Sequence, residues 1–198
     1  MNPDSLLKSM VITISGPAGS GKSHCASSLA QLFGLTCHSS GSIFRKLACE
    51  RGLSLEDLTL QTERDPEIDL EIDRRTKELA ACGGIILEGR LVAFFAPEKN
   101  RLSFYLTAPF EERAKRIAER ERITLREAEE KTLAREESER MRYSRLYGLD
   151  IADLAKYHFV INTALWDKNS EVTLLKRIIE TFLESRCNSS IENSMQIK

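Results

Sequence analysis

Eight consecutive residues carry the plainest chemistry in this chain: Gly16, Pro17, Ala18, Gly19, Ser20, Gly21, Lys22 and Ser23. They match the pattern G-x-x-x-x-G-K-[ST] at every position, the spacing of a loop that wraps phosphate. Such a loop needs glycine because its backbone visits positive φ and approaches the anion closely. Successive N–H groups and the first turn of the following helix then converge on one point, where negative charge is favoured. Lys22 is placed to reach the terminal phosphates of a nucleotide, and the Ser23 hydroxyl to join the shell of a Mg²⁺ ion. A glycine-rich turn that matched by accident would lack the flanks. Here Met10 to Ile14 is a β-rich apolar run, and Cys25, Ala26, Leu29, Ala30 and Phe33 line one face of a helix from Ser23 onward.

Charged residues elsewhere are candidates to work with this loop. Glu88 follows the apolar run Ile85-Ile86-Leu87, and a carboxylate at a strand end can hold the waters of Mg²⁺. Its plain alternative is a salt bridge or a helix cap. Arg90 lies two residues on, and Arg45 sits one turn into the helix after Ser40-Gly41; both are forked donors suited to phosphate. Either alone would be an ordinary surface arginine. Residues 111–147 add Arg113, Arg116, Arg120, Arg135 and Arg142. Arg116 and Arg120 are four apart and share a helix face, while Arg135 and Arg142 are seven apart with Glu139 between them. Much of this charge reads as a solvated face stitched by ion pairs. Phosphoryl transfer, however, needs cations around the charge developing on the transferred group and little covalent help. An arginine-rich helical segment after the fourth strand is where a mobile lid would deliver them.

The elements that must position these residues alternate. Residues 1–9 read as a ragged extension before the first strand. Gly34 stops the first long helix, Leu35 to His38 form a second strand, Ser39 to Ser42 a turn, and Ile43 to Ala48 a short helix broken at Gly52. Ser54-Leu55-Glu56-Asp57 opens another helix with a cap-like serine. Asp65-Pro66-Glu67 opens the next, with Ile68, Ile72 and Leu79 on one stripe and an end near Gly83-Gly84. Strands three, four and five are Ile85 to Leu87, Leu102 to Leu106 and Phe159 to Ile161. Thr107 and Pro109 open a helix, and the capping box Thr124-Leu125-Arg126-Glu127 divides residues 111–147 into two helices with a break near Arg122. A last helix runs from about Ser170 to Glu184, burying Val172, Leu175, Ile179 and Phe182, and the polar tail from Arg186 is expected to be disordered. The fold class is α/β: an open five-stranded parallel sheet with the phosphate loop on strand one and helices on both faces.

Composition narrows the function classes. A net charge of −1 gives no polyelectrolyte signal for nucleic acid. The longest apolar runs, such as Leu91 to Ala96, are far too short to span a bilayer, and Met1 to Ser9 lacks a signal peptide's apolar segment. Five scattered cysteines without a C-x-x-C suit a reduced compartment, so the expected location is cytoplasmic.

Taken together, the chain resembles the nucleoside-monophosphate kinases, and most closely the short archaeal-type cytidylate kinases. The resemblance covers about residues 10–185 and rests on Ile12–Ser23 (ITISGPAGSGKS), Ser40–Arg45 (SGSIFR), Asp65–Arg75 (DPEIDLEIDRR), Leu87–Arg90 (LEGR), Arg116–Glu121 (RIAERE), Arg135–Glu139 (REESE) and Tyr147–Ile151 (YGLDI). It implies ATP as co-substrate, Mg²⁺, and CMP or dCMP as acceptor, in a monomer with no nucleic-acid or membrane partner. It implies one kinase domain over 10–185, with a core of 10–41, 83–110 and 150–185, a monophosphate-binding insert at 42–82, a lid at about 120–135, and flexible termini at 1–9 and 186–198. Ser40, Arg45 and Arg90 would hold the CMP, and Arg116 and Arg120 would cover ATP. Arg135 and Arg142 would meet the transferred and acceptor phosphates, with Glu139 at an acidic position of the bacterial R-D-x-x-D-x-x-R pattern. Three positions depart from the family pattern. His24 replaces a hydroxyl residue after Lys22-Ser23, Ser42 stands where archaeal-type sequences usually carry Asp, and Leu91 stands where bacterial enzymes carry an Asp used in reading cytosine. Two rival readings stay open: a kinase for UMP, AMP or a small metabolite such as shikimate, and an adenylate-kinase-like ATPase that drives a conformational step in assembly. The chain has no N-K-x-D motif to support a GTPase.

Overall fold

A computed structural model describes residues 2–54, 57–58, 61–62 and 65–195. In chain order the elements are α1 (Pro3–Leu7), β1 (Val11–Ser15), α2 (Lys22–Phe33), β2 (Thr36–Ser39), α3 (Ser40–Glu50), α4 (Pro66–Cys82), β3 (Ile85–Glu88), α5 (Val92–Phe95), β4 (Arg101–Thr107), α6 (Phe110–Glu121), α7 (Leu125–Tyr147), β5 (Phe159–Asn162) and α8 (Lys168–Met195). The five strands form one sheet in the order β2-β3-β1-β4-β5, and every neighbouring pair is parallel. β1 is therefore central, and its C-terminal end launches the phosphate loop between two other strand ends.

Side-chain alternation along the strands builds a layer on each face. Ile12 and Ile14 of β1, with Phe104 and Leu106 of β4, pack against Cys25 and Leu29 of α2 and Leu175 and Ile179 of α8. On the opposite face Val11, Ile85 and Leu87 pack against Ala80 of α4 and Val92 of α5. The expected α/β architecture with helices on both faces is what forms. The segment between β2 and β3 has its own core, in which Ile43 and Leu47 of α3 meet Leu58 and the Ile68–Ile72 stripe of α4.

Local signals act where the sequence put them. The Asp65 carboxylate accepts from the Glu67 N–H at 3.0 Å with Pro66 in the first turn of α4. Arg122 takes a left-handed conformation (φ 55°) between α6 and α7, and the Thr124–Glu127 capping box starts α7. The Ser54 cap accepts from the Asp57 N–H at 3.0 Å, whereas Leu55 and Glu56 of that expected helix lie outside the described residues.

Three expectations need correction. Residues 39–42 are not a free turn: α3 already begins at Ser40, because Ser39 and Ser42 form a reciprocal capping box in which each side chain bonds the other's backbone N–H. Residues 1–9 are not simply ragged, since α1 forms with Asn2 as its cap and Pro3 in its first turn. The last helix does not stop near Glu184 but runs on to Met195. Residues 185–195 contain neither glycine nor proline to end it.

Candidate active site

The strand ends, the insert and α7 enclose a cleft of about 1480 Å³, larger than a pocket for a single small ligand. At one end lies the phosphate loop. Gly16 has φ 141°, and a Cβ there would lie 2.0 Å from the Leu106 carbonyl oxygen of β4. Gly19 has φ 77°, and a Cβ would lie 2.6 Å from the Arg113 carbonyl oxygen. Both positions therefore demand glycine, because the loop is pressed against β4 and α6. Ala18, Gly19, Gly21, Lys22 and Ser23 line the cleft; Gly16, Pro17 and Ser20 form the wall behind it, with the Ser20 side chain fully buried.

Lys22 lies at the centre of this loop. Its ammonium donates to the Pro17 carbonyl at 2.7 Å, closing the loop on itself. Burial pushes its pKa down to about 8, Arg90 adds to the effect, and Glu88 and Glu139 oppose it. Glu88, at the end of β3, lines the cleft beside it. Two arginines of α6 brace the loop from behind. Arg113, buried, donates to the Ala18 carbonyl at 3.1 Å and pairs with Glu136 of α7 at 2.6 Å. Arg116 donates to the Gly19 carbonyl at 3.3 Å and to the Thr163 hydroxyl at 2.9 Å, tying the loop to the turn after β5. Arg120 is exposed at the rim and pairs with its neighbour Glu121 at 2.6 Å.

Across the cleft the acceptor-side candidates gather. Ser40 and Arg45 project from α3 into the lining, and Arg45 has no ion-pair partner among the described residues. Arg90 pairs with Glu139 of α7 at 2.7 Å, and Glu136 lies 3.7 Å from it. Arg135 holds the second oxygen of the same Glu139 at 2.8 Å. Glu139 is thus a buried carboxylate (5 % exposed) clamped between two cations that face the cleft. Arg142, expected beside the transferred and acceptor phosphates, is paired with Asp69 of α4 at 3.0 Å.

Of the expected charged residues, all but Arg113 line this one cleft, and Arg113 lies behind the loop. Reasoning from the sequence named Arg113 only as one of the arginine-rich segment and did not single out Glu136, Asp69, Asp73, Tyr143 or Tyr147. The only signal for the two aspartates is their spacing, one helical turn apart within Asp65–Arg75. Of the three departures, Ser42 is spent on capping α3, Leu91 is buried at the cleft wall, and His24 lines the cleft after the loop.

The chain is similar to known proteins at two levels, fold and sequence. For fold, the chain is similar to a shikimate kinase from Bacteroides thetaiotaomicron (TM-score 0.59, 13 % identity, 86 % of this chain and 98 % of that one). It is equally similar to a gluconokinase from Sinorhizobium meliloti (TM-score 0.59, 14 % identity, 92 % and 98 %). For sequence, it is 44 % identical over 185 residues to the cytidylate kinase of Methanopyrus kandleri, covering 89 % of this chain and 96 % of that one. It is 47 % identical over 169 residues to the cytidylate kinase of Ignicoccus hospitalis, covering 85 % and 98 %. The model of the cytidylate kinase-like family matches residues 11–165, from the first residue of β1 to the turn after β5. With these matches spanning the loop, the insert and the arginine-bearing helices alike, the chain belongs to the cytidylate kinase-like family and is of its archaeal type.

Proposed function

We propose that this protein transfers the γ-phosphoryl group of ATP to CMP or dCMP, giving ADP and CDP or dCDP. The observation that carries the reading is a single cleft with a phosphate loop at one end and the Ser40–Arg45–Arg90 group at the other, in a family named for cytidylate kinases. In this reading the loop's N–H groups and Lys22 hold the β- and γ-phosphates. Arg116 braces the loop while Arg120 closes over ATP from the rim. Ser40, Arg45 and Arg90 hold the acceptor's phosphate, whose oxygen attacks the γ-phosphorus as the bond to ADP's bridging oxygen breaks. Arg135 supplies positive charge to the transferred group, which needs stabilisation more than covalent help. Glu139 is the counter-ion that keeps Arg90 and Arg135 in place before phosphate arrives.

The residues also suit Mg²⁺. Among the described residues no group of three or more His, Cys, Asp or Glu is set to cage a metal, and Mg²⁺ is commonly held by one or two protein oxygens together with substrate phosphates. The Ser23 hydroxyl and the Glu88 carboxylate, both on the cleft wall, are the oxygens that would hold it, and the ion would neutralise phosphate charge. A cytoplasmic setting is supported by five free cysteines; no helix among the described residues is long and apolar enough to cross a membrane.

The test is ADP formation from ATP and Mg²⁺ with CMP, dCMP, UMP, AMP and GMP in turn. CMP and dCMP should be the best acceptors, UMP poorer and the purines negligible. Equal kcat/KM for CMP and AMP would reject the assignment, and turnover that needs no acceptor would favour an ATPase.

A further inference from the structure

Away from the phosphate loop the cleft changes character. α4 contributes Asp69 and Asp73 to its lining, and α7 faces them with Arg142, Tyr143 and Tyr147. Arg142 Nε pairs with Asp69 Oδ2 at 3.0 Å, and the Tyr147 hydroxyl donates to Asp73. The Phe95 ring meets Tyr147 edge-on with centroids 5.9 Å apart, and buried Ile72 lines the same wall. This end lies further along α7 than the phosphate end, and Glu139, which pairs with Arg90 and Arg135, stands between the two. Along α7, at about 1.5 Å per residue, Arg142 lies about 10 Å and Tyr147 about 18 Å beyond Arg135.

Two carboxylates against the one guanidinium of Arg142 leave this end without the cation excess that Lys22, Arg45, Arg90 and Arg135 give the phosphate end. Acceptors, a forked donor and an aromatic wall are instead what a flat heterocycle with an exocyclic amino group requires. We propose that Asp69 and Arg142 read the base edge of the acceptor nucleotide, with Asp73 and Tyr147 as positioning residues. The Asp69 carboxylate accepts from the 4-amino group of cytosine, and the Arg142 guanidinium donates to N3 and O2. The inference rests on the CMP reading above and names the specificity residues of that same site.

The chemistry discriminates between bases. A cytosine edge runs donor, acceptor, acceptor; a uracil edge runs acceptor, donor, acceptor. Uracil would turn its O4 toward a carboxylate that only accepts, and its N3–H toward a guanidinium that only donates. A site built to hydrogen-bond one edge rejects the other because its own buried groups are left unpaired. Burial holds both carboxyls above their usual range, Asp73 at about 6 and Asp69 against the pull of Arg142, and desolvated acceptors bond more strongly than exposed ones. Leu91, buried and apolar, brings no polar side chain to the task.

The competing view makes Asp69–Arg142 a strut between the insert and α7. Calorimetric Kd values for CMP and UMP, measured on the full chain and on Asp69→Asn and Arg142→Lys variants, separate the two. Loss of a strut weakens both ligands together. Loss of a base reader lowers the ratio Kd(UMP)/Kd(CMP), since an Asn amide serves either edge, and a fall of about tenfold or more follows from the strength of a hydrogen bond to a charged group. KM for ATP should hold. A smaller change in the variant or variants that keep the wild-type circular dichroism spectrum overturns the assignment. Wild-type protein that binds CMP no more tightly than UMP defeats the CMP reading and this one with it; a wild-type preference that the folded variants retain defeats only this one.

Discussion

Glu139→Gln is the substitution whose consequences the structure lets one work out most fully. The carboxylate is 5 % exposed and holds Arg90 at 2.7 Å and Arg135 at 2.8 Å. The two halves of this clamp are unequal. Arg135 is 64 % exposed, and an exposed i,i+4 pair contributes only about 0.3–0.5 kcal/mol. Arg90 is 16 % exposed, and stripping the partner from a buried cation costs about 3–5 kcal/mol. Arg90 is not left alone, because Glu136 remains at 3.7 Å and the new amide oxygen still accepts, so about 2 kcal/mol is the reasonable loss for that half. The sum, about 2–3 kcal/mol, should lower Tm by roughly 5–10 °C in a chain of this size. Ligand should narrow the gap. Saturation at about 100 times Kd adds about 2.7 kcal/mol to any protein that binds only when folded, and a CMP phosphate reaching Arg90 in the variant meets no competing carboxylate. The assay is thermal denaturation of both proteins with and without CMP at one fixed concentration. The variant should melt lower without CMP and gain more from it. Equal melting temperatures without ligand, or a smaller CMP-induced rise in the variant, refute the reasoning.

Further outcomes follow from the same site. Lys22 holds fewer protons folded than unfolded between its depressed pKa of about 8 and the ordinary 10.5, so its contribution to stability rises with pH across that window and is lost as pH falls toward 8. ATP affinity runs the opposite way, because phosphate needs the ammonium: it should fall by up to about tenfold per pH unit above 8, and Lys22→Met should remove that slope in a Kd titration. Arg45→Ala should leave Tm unchanged, as the residue has no ion pair among the described residues, and raise KM for CMP about tenfold or more while sparing KM for ATP; equal shifts in the two KM values would take Arg45 out of the acceptor site. Arg135→Ala should lower kcat and kcat/KM together by about 10³-fold, as for arginines on a transferred phosphoryl group, with Tm nearly unchanged; losses no larger than those of Arg126→Ala or Lys131→Ala would return it to the solvated face.

What could be read from the sequence was what is local. The phosphate loop is contiguous, so its residues and flanks announce it, and the caps at Asp65 and Thr124 act within three residues of themselves. The start of α3 was misread because a capping box is usually sought as Ser or Thr with Glu or Gln, whereas Ser42 plays the second part here. Strand order was not legible, since no residue of β1 encodes that β3 and β4 will flank it; that choice follows from how the crossovers pack. The site divides likewise. Each arginine could be named as a candidate, but the partners Arg90–Glu139 and Arg142–Asp69 join different elements, and no spacing rule pairs residues so far apart in the chain.

The ion pairs made by the arginines of α7 divide by the burial of the acids they face. Arg126–Glu130, with side chains 87 % and 65 % exposed, and Arg140–Glu137, at 63 % and 53 %, are surface stitches that contribute little. The pairs at the cleft are built differently: Glu139 is 7 % exposed at the side chain and Asp69 13 %, so a buried acid stands against each cation. Removing such an acid is costly when nothing replaces it, which keeps the cations oriented while the cleft awaits its ligands. A phosphate carries more charge than the carboxylate it faces and can take the cations over; an amino-bearing base can join Asp69 without displacing Arg142. In the proposed function the same ion pairs stabilise α7 in the free protein and hold its arginines ready for ligands, a double part that neither helix periodicity nor charge count could separate.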